Sequence, residues 1–198
     1  MKLLIENATL IPMDPDDPRG RFYTGDLAVD GDRIVAVGQT PEGFTADRVI
    51  DGRHRVVMPG FVNSHTHVAM VLLRGFADDL PLMRWLEDEI WPAEQTLTAE
   101  AVYQGTLLGI AEMIQSGTTS FLDMYMFQDE VGRAIGETGM RGVLSRGLIG
   151  FEPDIDEKIA DNVAMKERFA GRADGRVSVR LGPHAPYTCM PAVLDKVT

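Results

Sequence analysis

The sequence predicts an α/β fold in two parts, a small β module over residues 1–57 and a parallel βα array over residues 58–198. Three observations support this prediction. Short β-like runs separated by turn signals fill the first part. In the second part, strand-like and helix-like segments alternate, which indicates parallel strands joined by right-handed crossovers. Polar residues follow the strand-like runs of the second part, at the end where such folds carry their active sites.

The β module begins with an apolar-rich run over residues 3–11, which predicts its first strand. Proline and aspartate dominate residues 12–20. Because proline removes a backbone donor and acidic side chains stay solvated, this stretch is predicted to be a loop. Residues 26–37 place an Asp-Gly turn between two β-like runs, and this pattern is typical of a hairpin.

Near Val56 the sequence pattern changes from short β-like runs to alternating strand-like and helix-like segments. Residues 56–63 are predicted to form the first strand of the βα array, and a long helical region follows. Thr98 is a suitable N-cap for a helix that ends before the stop signal at Gly117. The apolar stripe predicted for this helix consists of Val102, Leu107, Leu108, Ile110, Met113 and Ile114.

The alternation of strands and helices then repeats along the chain. Strands are predicted at residues 118–124, 141–149 and 177–181, helices at 129–137 and 155–169, and a last helical pattern at 192–198. A closed barrel of this type needs eight strands, and the pattern provides four. The chain therefore looks like the front half of a larger protein.

Two histidines separated by one residue carry the strongest chemical signal. His65 and His67 lie at the end of an apolar strand, this pair follows a β-branched run and a Pro-Gly, and the chain has only four histidines. Successive strand residues face opposite sides, so the two imidazoles should project together. Two neutral imidazoles held by one strand form half of a metal site. The alternative is a solvent-facing histidine pair after a turn.

With this pair, the sequence resembles the amidohydrolase superfamily, whose first barrel strand ends in such a His-x-His. Further segments make it similar to the 5-methylthioadenosine/S-adenosylhomocysteine deaminase family, namely residues 74–82, 90–94, 111–119 and 182–188. The resemblance covers essentially the whole chain. It implies the N-terminal half of a metal-dependent hydrolase TIM (βα)8 barrel, preceded by a small β-sandwich module.

The resemblance also implies an activity and a set of site residues. The activity is the hydrolytic deamination of 5-methylthioadenosine or S-adenosylhomocysteine to the inosine-type product plus ammonia, with one divalent metal ion, zinc by preference. His65 and His67 would bind the metal, and Glu94, Arg146 and His184 would bind the substrate. The family's remaining metal ligands and its proton-shuttling glutamate are expected beyond residue 198, so no catalytic residue is assigned and the chain alone is expected to be inactive.

The individual residues also have plainer interpretations. Glu94 could be a glutamate at a helix entry, Arg146 a surface ion-pair partner, and His184 an ordinary loop histidine. Asp123, near the end of the second strand, could orient a ligand histidine or anchor a loop. Two alternative functions stay open: a related amidohydrolase that acts on guanine-like or triazine rings, and a non-catalytic fragment or binding module.

Composition narrows the choice of partners and compartment. The chain has 30 acidic against 19 basic residues and a net charge of −11, which would repel a phosphate backbone, so nucleic acid is not an expected partner. No apolar stretch approaches the length of a membrane span. Cys189 is the only cysteine, which fits a reducing cytoplasm. The resemblance implies a small purine nucleoside thioether as the partner, and a homo-oligomer stays open.

Overall fold

The computed structural model describes residues 1–150 and 153–197. The chain divides into two compact units, residues 1–60 and the residues from Phe61 onward. No helix in the described ranges is long and apolar enough to cross a membrane. The last residue of the helical pattern predicted at 192–198 lies outside the described residues.

The first unit contains one five-stranded mixed sheet. Its strands are β1 (Lys2–Leu10), β2 (Tyr23–Asp30), β3 (Arg33–Gly38), β4 (Arg48–Asp51) and β5 (Val56–Val57). Strand β1 pairs antiparallel with β2 and parallel with β4 and β5. The predicted hairpin is confirmed as β2 and β3, and Gly31 between them has a φ of +62°, a conformation that glycine adopts without strain.

The prediction of one continuous strand over residues 56–63 is wrong. Residues 56 and 57 form β5 and pair with β1, whereas β6 (Phe61–Thr66) starts only after Gly60 and belongs to the second unit. Pro59 has no backbone N–H, so a ladder cannot run through this position without losing a hydrogen bond.

The second unit contains a parallel four-stranded sheet, as the alternation of strands and helices predicts. Its strands are β6, β7 (Thr118–Met124), β8 (Arg141–Ser145) and β10 (Val177–Val179), in the order β10-β8-β7-β6. Two short strands, β9 (Gly147–Leu148) and β11 (Gly182–Pro183), pair parallel with each other. The strand predicted at 141–149 is thus broken at Arg146, where the chain leaves one ladder and enters another.

Helical segments connect these strands. Between β6 and β7 lie a 3-10 helix (Val68–Leu73), α1 (Leu82–Arg84), a π-helical segment (Trp85–Ile90), α2 (Trp91–Glu94) and α3 (Ala99–Gln115). The later helices are α4 (Gln128–Thr138), α5 (Ile155–Arg168), a 3-10 turn (Arg172–Gly175) and α6 (Pro191–Leu194). Thr98 caps α3 as predicted, because its Oγ1 accepts a hydrogen bond of 3.1 Å from the amide of Ala101.

Helix α3 packs through a face that differs in part from the predicted stripe. Val102, Ile110 and Met113 are buried as predicted, but Leu108 and Ile114 are 47% and 56% exposed. The buried face instead includes Gly105 and Gly109, which lie against the 3-10 helix that follows β6. Glycine leaves room for this close approach, which a stripe drawn from apolar side chains alone does not reveal.

Gly109→Ala tests this packing. A Cβ at Gly109 would lie 2.6 Å from Val68 Cγ2 and 3.1 Å from Val68 O. We expect the substitution to lower the free energy of unfolding by about 1–3 kcal/mol, because the neighbouring backbone must shift. Gly136→Ala in α4 is the control, since the nearest atom to its added Cβ is 3.9 Å away. Gly136→Ala should raise the free energy of unfolding by about 0.5–1 kcal/mol, because alanine favours the helix more than glycine does. Urea unfolding that shows equal shifts for the two variants would contradict this account.

Candidate metal and substrate site

The two predicted metal-ligand histidines project from the C-terminal end of β6. His65 is exposed and His67 is half-buried. Their ring centroids are 5.2 Å apart and the rings are nearly perpendicular. The structure therefore brings the two imidazoles together, as the strand period predicts.

A hydrogen bond orients the ring of His67. Its Nδ1 lies 2.6 Å from the carbonyl oxygen of Met124, at the end of the neighbouring strand β7. A carbonyl can only accept, so Nδ1 carries the proton and a neutral ring presents a lone pair on Nε2. This is the usual arrangement of a metal-binding histidine, whose second nitrogen donates to a backbone carbonyl. The donor chemistry therefore fits a divalent metal ion.

Among the described residues, the histidine pair is not part of a larger cluster of metal ligands. Within residues 1–150 and 153–197, no three His, Cys, Asp or Glu side chains come together in a way that could hold a metal ion. Catalytic zinc usually has three protein ligands and one open position. The described residues thus provide two ligands of an incomplete set.

Asp123 anchors the chain directly after the histidine pair. Its Oδ1 accepts a 2.6 Å hydrogen bond from the amide of Val68, and its Oδ2 accepts one of 2.8 Å from Gln128 Nε2. The side chain is fully buried, and burial raises the pKa of its carboxyl to about 6. Of the two roles that the sequence left open, the structure favours the loop anchor, since the proton on His67 Nδ1 goes to Met124 O instead.

Four of the five predicted site residues line one cavity of about 640 Å³, namely His67, Glu94, Arg146 and His184. His65 is not among the lining residues. Most of the wall is apolar or aromatic and comes from the segment after β6 and from the ends of β7 and β9, with Met70, Trp85, Leu86, Ile90, Trp91, Leu97, Met124, Met126, Phe127 and Ile149. A largely apolar cavity with a few convergent polar groups is the usual form of a small-molecule site.

Glu94 ends α2 and reaches this cavity as a half-buried carboxylate. Burial raises its pKa, while the hydroxyl of Tyr125 acts in the opposite direction. Burial and the Glu94 carboxylate both raise the pKa of Tyr125. The Tyr125 hydroxyl is close enough to Glu94 for these effects, yet it meets no described group in full hydrogen-bond geometry.

Arg146 occupies the break between β8 and β9. Its backbone is held by the buried Asn162, whose Oδ1 accepts from the Arg146 amide at 2.9 Å and whose Nδ2 donates to the Arg146 carbonyl at 3.0 Å. Its guanidinium donates to Asp161 Oδ2 at 2.8 Å and lowers the pKa of that carboxyl. Arg146 therefore makes the ion pair of the plainer interpretation and lines the cavity as well.

His184 follows β11, and its ring is fixed by the turn that comes next. Its Nδ1 lies 2.9 Å from Thr188 Oγ1, and its backbone amide donates to Leu148 O at 3.0 Å. The ring of Tyr187 meets it edge-on, at a centroid distance of 5.9 Å. These contacts direct the imidazole to the cavity that also holds Glu94 and Arg146.

Several residues of the site were not singled out by the sequence. Tyr125 and Lys158 line the cavity, and Asn162 and Asp161 fix Arg146. Tyr125 could have been found, because it follows directly after the end of a predicted strand, where such folds place functional groups. Asn162 could not, because its contact with Arg146 spans 16 residues and depends on how α5 packs.

Comparison with known proteins gives a consistent result. The model of the amidohydrolase family matches residues 56–198. A 5-methylthioadenosine/S-adenosylhomocysteine deaminase of Syntrophomonas wolfei is 48% identical over 200 residues, which cover 100% of this chain and 46% of that protein. The chain spans about half the length of the curated relatives it matches.

Two solved structures show the same architecture. An adenosine deaminase from Xanthomonas campestris with bound zinc is 36% identical, has a TM-score of 0.85, and is matched over 98% of this chain and 45% of that one. A triazine hydrolase from Arthobacter aurescens is 21% identical, with a TM-score of 0.83 over 99% of this chain and 49% of that one. At that identity the second likeness concerns the fold alone.

Proposed function

The chain belongs to the amidohydrolase family, and from this premise we propose that its protein is a metal-dependent deaminase of 5-methylthioadenosine and S-adenosylhomocysteine. The reaction replaces the amino group at C6 of the adenine ring with oxygen from water. It releases ammonia and leaves the inosine-type nucleoside.

One observation carries this proposal: His67, Glu94, Arg146 and His184 face a single cavity. They come from four separate parts of the chain, so their convergence is a property of the fold. A cavity of about 640 Å³ lies in the usual size range of sites for small ligands. The name of the relative from Syntrophomonas wolfei supports the choice of substrate.

In this proposal His65 and His67 hold the metal ion, for which zinc is the best candidate. The zinc bound in the Xanthomonas campestris structure supports that choice. When bound, such an ion lowers the pKa of a coordinated water from about 15.7 to roughly 7 and so supplies hydroxide at neutral pH. Met124 O holds the proton of His67 on Nδ1 and keeps Nε2 available.

The other residues bind and orient the nucleoside. The carboxylate of Glu94 can accept hydrogen bonds from both ribose hydroxyls, because it offers two oxygens. Arg146 and His184 contribute polar contacts at other points of the cavity, and their own hydrogen bonds hold them in place. Trp85, Trp91 and the methionines of the wall give the purine an apolar surface and exclude water.

We extend the proposal to the parts of the fold that the sequence predicts in finer detail. The five-stranded sheet would be part of a β-sandwich, and the four parallel strands would be the first half of a (βα)8 barrel. A cytoplasmic location is compatible with Cys189, a buried thiol whose Sγ contacts Leu148 O at 3.1 Å.

Substitution of Glu94 tests the proposed function. In the full-length protein loaded with zinc, Glu94→Ala should lower kcat/KM for 5-methylthioadenosine roughly 5- to 150-fold, because two hydrogen bonds to the ribose are lost. This factor corresponds to a loss of about 1–3 kcal/mol of transition-state stabilisation. The same substitution should change kcat/KM little for 2′,3′-dideoxyadenosine, a substrate without those hydroxyls. Ammonia release measures both. Equal losses on the two substrates would contradict a ribose-binding role for Glu94.

A further inference from the structure

The hydroxyl of Tyr125 is a buried polar group that the proposed contacts leave without a role. Tyr125 is only 7% exposed and follows β7 directly, on the same strand end that orients His67. Its ring lies 6.2 Å from the ring of His67, and the residue lines the cavity. Among the described residues, none forms a hydrogen bond with Tyr125 Oη.

An unsatisfied buried hydroxyl is costly. Leaving such a group without a partner costs about 1–3 kcal/mol, and natural proteins keep few of them. The group that most affects this hydroxyl, besides burial itself, is the carboxylate of Glu94. Tyr125 and Glu94 line the same cavity, so the hydroxyl and the carboxylate face the same space. The hydroxyl therefore has one clear candidate acceptor, and that acceptor is the proposed ribose ligand.

We propose that Tyr125 is a positioning residue, whose hydroxyl donates a hydrogen bond to the Glu94 carboxylate and so aims it at the two ribose hydroxyls of the ligand. This inference rests on the proposed function, because it assumes a ribonucleoside in the cavity. Without the hydroxyl, the half-buried Glu94 carboxylate would lose this donor and would be free to turn away from the ribose. Tyr125 would thereby set the preference for substrates with intact 2′ and 3′ hydroxyls.

The backbone supports such a role. The amide of Tyr125 donates to Ser145 O at 3.2 Å, so the residue stays tied to the end of β8 beyond its own strand. The ring packs in the main core of this unit. Because its backbone and its ring are both held, the Tyr125 side chain has little conformational freedom. A hydrogen bond from its hydroxyl can therefore fix the orientation of the Glu94 carboxylate.

The test is Tyr125→Phe in the full-length protein, alone and combined with Glu94→Ala. Tyr125→Phe should raise KM for 5-methylthioadenosine about 5- to 30-fold with kcat changed less than about 3-fold. It should change KM for 2′,3′-dideoxyadenosine less than 2-fold, roughly the scatter of such measurements. In the Glu94→Ala background it should have no further effect on either substrate. A merely structural role would harm both substrates alike and would persist in that background.

Tyr103→Phe is the matched control. Tyr103 donates to Glu137 at 2.5 Å in another tyrosine–glutamate pair, between α3 and α4, away from the cavity. Tyr103→Phe should leave KM unchanged for both 5-methylthioadenosine and 2′,3′-dideoxyadenosine. Equilibrium binding of 5-methylthioadenosine, measured by calorimetry, separates the two ways of failing. If the unsubstituted protein binds the ribonucleoside and Tyr125→Phe binds it equally well, the positioning role is wrong and the proposed function stands. If the unsubstituted protein neither binds nor deaminates it, the proposed function is wrong and this inference fails with it.

Discussion

Replacing both His65 and His67 with alanine should abolish metal binding by the full-length protein. The two imidazoles lie close together at the end of β6, and the hydrogen bond from His67 to Met124 O leaves the lone pair of Nε2 available for a metal ion. Loss of both ligands removes half of a four-coordinate site, so zinc should no longer be retained through gel filtration. Metal analysis of the purified variant gives the stoichiometry directly.

His54→Asn is the control for this experiment. His54 is exposed, belongs to the first unit and has a φ of +63°, which asparagine tolerates. It should keep the metal content of the unsubstituted protein. Full metal occupancy in the His65→Ala/His67→Ala variant would show that the ligands lie elsewhere.

Asp123→Ala should produce the largest loss of stability among single substitutions near the site. Asp123 is the buried partner of both the Val68 amide and the Gln128 side chain. Alanine would leave a buried N–H unsatisfied and open a cavity, which together cost about 3–5 kcal/mol of unfolding free energy. Denaturant unfolding of the metal-free protein measures the effect without a contribution from bound metal.

Two further variants distinguish an anchor from a general effect of removing a carboxylate. Asp123→Asn should retain most of the stability, because an amide oxygen can still accept from Val68 and, once the Gln128 amide turns over, the new amide nitrogen can donate to Gln128 Oε1. Asp156→Ala removes an exposed ion pair with Lys196 and should cost less than about 1 kcal/mol. If Asn proves as damaging as Ala at position 123, the charge of Asp123 matters more than its hydrogen bonds.

Local signals in the sequence account for most of the secondary structure. The Asp-Gly turn, the N-cap at Thr98 and the stop at Gly117 act within a few residues, and the structure has a hairpin or a helix end at each of them. The break at Arg146 was missed, because it depends on β9 leaving the ladder of β8 to pair with β11. The exposure of Leu108 was missed because glycines, which carry no apolar signal, form the contact face of α3.

The site residues also fall into two groups, those that a local pattern predicts and those that depend on packing. The strand period was enough to predict that His65 and His67 come together, since both lie on one short segment. Glu94, Arg146 and His184 were predicted from a resemblance, and their own chemistry favoured plainer roles. Their common cavity depends on the packing of α2 and the ends of β9 and β11, which no local pattern encodes. The position of Tyr125 directly after a predicted strand is a signal in the sequence, whereas its burial and its lack of a hydrogen bond to any described residue are seen only in the structure.

Ammonia release from 5-methylthioadenosine by the zinc-loaded full-length protein tests the central claim most directly. We expect one ammonia for each inosine-type product with the unsubstituted protein and with His54→Asn. The His65→Ala/His67→Ala variant should be slower by about three orders of magnitude or more, since it lacks the ion that activates water. A metal-loaded protein that releases no ammonia from this substrate, or a double variant that releases it at the unsubstituted rate, would contradict the account.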